Sequence, residues 1–184
     1  MRRNSFRSMI CQGLFIQTNF GNIVIKVDAG LGANAAGTFV ALARCGYYNN
    51  VVFHRIVKGF VIQAGDGTYA RLPTLTQSKF GAGGPGWSIQ DDKVTTKYKR
   101  GTVAIANTGA ANSGNSQFFI VLSDTAWTAT TPTTYAIFGD VTSGLDVVDR
   151  IAQVPTGGEP GSGGAPASMP LQPIVITGTT VTTP

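Results

Sequence analysis

The chain has 184 residues, a formal charge of +5 and only 12% charged residues. That length suits one domain with a sizeable core. No stretch approaches the ~20 apolar residues that span a bilayer. The positive residues are scattered apart from Arg2, Arg3 and Arg7 and the group Lys93, Lys97, Lys99 and Arg100. That group is interrupted by Val94, Thr95, Thr96 and Tyr98 and reads as a solvated loop, too weak a signal for a nucleic-acid surface. Two cysteines, Cys11 and Cys45, make no disulfide framework, and His54 as the only histidine leaves no zinc-type ligand set. Residues 1–13 carry Arg2, Arg3 and Arg7 and no acid. They read as a flexible tail, with a targeting remnant as the alternative. The compartment therefore stays open, the cytoplasm being the default and an organellar or exported form the other reading.

From Leu14 the pattern becomes regular. Leu14–Thr18 and Asn22–Val27 flank an Asn-Phe-Gly turn and predict a β-hairpin. Asn34–Arg44 predicts a helix, with Phe39, Leu42 and Ala43 at helical spacing and Gly46 as its stop. Strands are expected at Val51–Val57 and Phe60–Gly65, and long surface loops over 67–100. Thr102–Ala106, Phe118–Leu122 and Ala136–Asp140 predict three more strands. Ser143-Gly144-Leu145-Asp146 has the form of a capping box, followed by the stripe Leu145, Val148 and Ile151 of a second helix. Pro155–Pro170 reads as a Gly/Pro-rich loop and Leu171–Thr177 as the last strand.

Side chains alternate across a strand. In Gln117–Leu122, Phe118, Ile120 and Leu122 share one face, while Gln117, Phe119 and Val121 share the other. The first set suits a core, and the second sets a polar amide beside a large aromatic. Val61 and Gln63 likewise lie opposite Ile62.

The run Val52-Phe53-His54-Arg55-Ile56-Val57-Lys58-Gly59-Phe60-Val61-Ile62-Gln63-Ala64-Gly65-Asp66 carries a resemblance. So do Ala104-Ile105-Ala106-Asn107-Thr108-Gly109 and Asn115-Ser116-Gln117-Phe118-Phe119-Ile120. Together they closely resemble the cyclophilin peptidyl-prolyl cis/trans isomerases, over about residues 14–177. The resemblance implies a mainly β fold: a closed eight-stranded antiparallel barrel with two capping α-helices, forming a single domain over 14–184. It implies a rotamase that turns X-Pro bonds, assists protein folding and uses no cofactor or metal. Arg55, Gln63 and Asn107 would be catalytic. Phe60, Val61, Phe119 and Tyr135 would hold the proline ring; Ala106, Thr108 and Gln117 would line the adjoining surface, and Trp127 its rim. Val61 stands where Met is frequent, and Tyr135 where many members carry His. Proline-containing peptides and protein clients are the expected partners, with no nucleic acid or membrane, and a monomer is expected. Cyclosporin-type cyclic peptides should inhibit. The alternatives are a proline-binding module with incidental turnover and an inert barrel. Arg55 favours the enzyme, because binding alone needs no donor specific to the rotating bond.

Overall fold

The computed structural model describes residues 12–128, 130–157 and 168–182. Residues 1–11 of the expected tail, Cys11 among them, and 158–167 of the Gly/Pro-rich loop lie outside them. The hairpin forms as expected: β1 (Gln12–Thr18) pairs antiparallel with β2 (Gly21–Val27) in register from Gln12↔Val27 to Thr18↔Gly21. The first helix, α1 (Ala33–Arg44), follows. Gly46 ends it at φ +72°, with its N–H on Ala43 and that of Tyr47 on Leu42. Next come β3 (Arg55–Val57), β4 (Val61–Ala64), β5 (Thr102–Ile105), β6 (Phe118–Val121) and β7 (Ile137–Ser143). The second helix, α2 (Leu145–Ala152), precedes β8 (Thr156–Gly157), β9 (Met169–Pro170) and β10 (Ile176–Thr182).

Eight of these strands make one antiparallel curled sheet in the order β10-β1-β2-β7-β5-β6-β4-β3. Among the described residues the molecule is mainly β with two α-helices, and its ladders end at β10 and β3. Between those ends the Asn50 and Phe53 N–H groups donate to Ile176 and Ile174 at 2.8 and 2.9 Å, and Ile176 N–H returns to Val51 at 2.8 Å. The inner face of the sheet and the helices share one apolar core, in which Phe39 packs against Tyr48, Phe118 and Phe138 with ring centroids 4.6–5.1 Å apart.

Four expectations need correction. The third strand is shorter than Val51–Val57, because Val51 and Val52 turn aside into single bridges with Arg71 and Val175. Ser143 caps no helix: it is the last residue of β7, opposite Val24. The residue before α2 is Gly144, at φ +86° with no side-chain cap, and a Cβ there would collide with the Asn22 carbonyl. The last strand runs over Ile176–Thr182, since β1 needs a partner along its full length. Leu171 is 66% exposed, between prolines that lack N–H donors. Finally, the Pro155–Pro170 segment pairs its own ends, Thr156 with Pro170 and Gly157 with Met169.

Candidate active site

A row of register partners builds the site. Arg55 on β3 faces Gln63 on β4, Gln63 faces Phe119 on β6, and Phe119 faces Ala104 on β5. Because partners on one face sit close together, the sheet's outer face presents a guanidinium, an amide and an aromatic ring side by side. Val61 and Val121 are the next pair along. Phe60 enters from the β3–β4 turn, where its N–H closes on Val57 at 2.9 Å.

These groups line a groove of about 720 Å³. Every site residue selected from the sequence lies on it: Arg55, Phe60, Val61, Gln63, Ala106, Asn107, Thr108, Gln117, Phe119, Trp127 and Tyr135. At one end Val61, Ala104, Phe119, Val121 and Ile137 form an apolar cluster separate from the inner core, with Phe60, Trp127 and Tyr135 packed on it. Arg55 donates through Nη1 to Gln63 Oε1 at 3.2 Å. Burial lowers its pKa below the usual value, partly offset by Tyr135. Among the described residues no carboxylate lines the groove or pairs with Arg55, so its charge stays available to a bound ligand.

Asn107 already makes local bonds, donating to the Thr134 carbonyl at 3.1 Å and accepting the Gly109 N–H at 3.1 Å. The Trp127 indole stacks on Phe60, Tyr98 and Phe119 with centroids 4.9, 4.1 and 5.6 Å apart. Its N–H donates to the Pro132 carbonyl at 2.8 Å, so that donor is engaged.

Several residues in or beneath the groove escaped the sequence reading. Tyr98 looked like part of a basic solvated loop, yet it is buried beneath Trp127 and bonds the Tyr135 carbonyl at 2.7 Å. A lone aromatic between lysines was its only signal. Gln77, Phe80, Ser168 and Met169 also border the groove. Phe80 and Met169 belong to a small third cluster with Val52 and Ala70, which the loop composition did not betray. His54 is packed in the interior. However, neither ring nitrogen has a hydrogen-bond partner among the described residues.

The geometry defines a groove with an aromatic, apolar end and a guanidinium beside it, and comparison with known proteins places the chain more closely. Residues 14–181 match the family described as cyclophilin type peptidyl-prolyl cis-trans isomerase/CLD. Peptidyl-prolyl cis-trans isomerase cyp18 of Streptomyces antibioticus is 35% identical over 167 residues, 88% of this chain and 93% of that one. Peptidyl-prolyl cis-trans isomerase B of Escherichia coli is 31% identical over 169 residues, 89% of this chain and 96% of that one. The crystal structure of a cyclophilin type isomerase from Cryptosporidium parvum superposes with a TM-score of 0.77 at 28% identity, covering 95% of this chain and 99% of that chain. The chain belongs to the cyclophilin-type peptidyl-prolyl cis-trans isomerases and is an enzyme of that class.

Proposed function

We propose that the groove turns X-Pro bonds with Arg55 as the donor that favours the twisted state. Rotation is slow because the nitrogen lone pair conjugates with the carbonyl, a barrier of ~18–20 kcal/mol. In the twisted state conjugation is lost and the prolyl nitrogen becomes a better acceptor. Acceleration by ~10⁵ takes roughly 7 kcal/mol of stabilisation felt there and not in the ground state. A preorganised guanidinium in a partly desolvated groove supplies such stabilisation without reorganising. Phe60, Val61, Phe119 and Tyr135 hold the ring while the preceding carbonyl swings, and Asn107 aligns the peptide main chain. Val61 and Tyr135 keep this pocket apolar and aromatic despite departing from the commoner residues.

The observation that carries this reading is the Arg55–Gln63 contact at the edge of the aromatic cluster. A Cryptosporidium parvum relative, 28% identical with a TM-score of 0.76, was crystallised in the presence of the dipeptide Ala-Pro. Proline-containing peptides and folding protein clients are the substrates, met by a monomer with no cofactor, and cyclosporin-type rings compete for the groove. The sheet closes into a barrel along the seam from Asn50–Phe53 to Ile174–Ile176.

Exchange of an X-Pro peptide followed by NMR at substoichiometric protein, with and without a chelator, tests the activity; an uncatalysed rate in both samples sinks it. Arg55→Ala should cost roughly 2.7–4 kcal/mol in transition-state stabilisation, seen mainly in kcat. Unchanged kcat/KM in a folded variant removes Arg55 from the mechanism.

A further inference from the structure

The side-chain amide of Gln117 is committed inside the protein. Its Nε2 donates to the Gly81 and Gly83 carbonyls, both at 2.8 Å, and its Oε1 accepts from Gln63 Nε2 at 2.9 Å. A primary amide has two N–H donors, so both are used, and the residue is only 5% exposed. Two carbonyls cannot donate. The amide therefore has one acceptable orientation, because the reverse would set its oxygen against two others. That orientation dictates the next one: Gln63 must offer its nitrogen to Gln117, which leaves Gln63 Oε1 toward Arg55. The glycine carbonyls are held in turn. The fully buried Asp66 carboxylate accepts the Gly81 and Gly83 N–H groups at 2.9 and 3.2 Å, and those of Thr68 and Tyr69 at 3.0 and 2.8 Å.

We propose that Gln117 is a positioning residue for Arg55 and not a peptide contact: it selects the Gln63 orientation that turns an acceptor toward the guanidinium. Without it Gln63 would sample both orientations. In the wrong one its N–H groups would face those of Arg55, and the guanidinium would swing off the row. The proposal rests on the reading of Arg55 as the donor.

A double-mutant cycle on the full chain tests it, with peptide exchange rates measured for wild type, Gln117→Leu, Gln63→Ala and the pair, and for Arg55→Ala separately. Gln117→Met replaces Gln117→Leu if the latter does not fold, as judged by its amide NMR spectrum. Gln117→Leu should lower kcat about tenfold, within the range of coupled neighbours. Peptide KM should stay within about twofold, as for an interaction made mainly in the transition state. In the Gln63→Ala background the same change should cost nothing further. Additive losses, a loss confined to KM, or unchanged activity would each overturn the proposal while Arg55→Ala still costs activity. Full activity in Arg55→Ala would remove the donor reading, and this proposal with it.

Discussion

His54 sits beside the proposed donor without sharing in the chemistry. The residue is 4% exposed, and its ring meets the Phe80 ring edge-on at 6.0 Å. Burial lowers its pKa to about 4; the Asp66 charge opposes this and the Arg55 guanidinium adds to it. The native ring is therefore neutral where an unfolded one, with a pKa of ~6.5, takes a proton. Its contribution to stability is complete above about pH 6.5 and is lost as pH falls toward 4, on the order of 3 kcal/mol in all. Urea unfolding at pH 7 and 4.5 should show a larger acid loss in wild type than in His54→Gln; parallel losses would exclude His54 as the cause. Between about pH 6 and 8 the ring stays neutral and Arg55 charged, so isomerisation should be nearly flat with pH. An inflection that disappears in His54→Gln would give the histidine a role. At the rim, the Trp127 indole donor is already engaged. With its N–H on Pro132, it can offer a ligand mainly its apolar face. Trp127→Ala should weaken both a proline peptide and a cyclosporin-type ring in titration. Equal affinity for both proteins would leave the indole as a loop anchor alone.

At the scale of elements, the start of α1 is the clearest case of remote support. Gly32 precedes the helix and no side chain nearby caps it. Instead Asp92, from the long loop, accepts the Asn34 and Ala35 N–H groups at 3.2 and 2.8 Å. A carboxylate there satisfies donors that a helix leaves open and complements its dipole. Asp92→Ala should therefore cost about 1 kcal/mol, as loss of an ordinary N-cap does. A melting temperature unchanged in Asp92→Ala would show that water replaces it fully. The same loop ties into α2 through Arg100, whose guanidinium grips both Asp149 oxygens at 2.8 Å. The basic group that looked merely solvated is thus partly structural.

For the molecule as a whole, the proposed closure of the curled sheet into a barrel rests on a short seam. The named ladders stop at β3 and β10, while hydrogen bonds of 2.8–2.9 Å cross the gap. Asn19 reinforces one side, accepting the Val175 N–H at 2.8 Å and donating to the Pro173 carbonyl at 3.1 Å. If closure holds in solution, the Asn50, Phe53 and Ile176 amides should exchange with deuterium as slowly as those inside β1 and β2. Exchange at the rate of an exposed edge strand would mean that the sheet is open there.

The hairpin, the two helices and the alternation of β4 and β6 were legible in the residues, because period and turn chemistry are local properties. Phe118 and Ile120 point inward and Phe119 outward as alternation requires. Arg55, Gln63, Asn107 and Phe119 were marked by the resemblance of their motifs to cyclophilins, and they come from separate segments that only the folded sheet brings to one groove. What periodicity cannot express is partnership across distant segments. The length of β10 depended on what β1 required, the cap of α1 on Asp92, and the burial of Tyr98 on the ring of Trp127. The orientation of Gln63 depended on two glycine carbonyls in a loop anchored by Asp66. Each is a hydrogen bond or contact between residues far apart in the chain, and only the folded arrangement of the strands brings such pairs within reach.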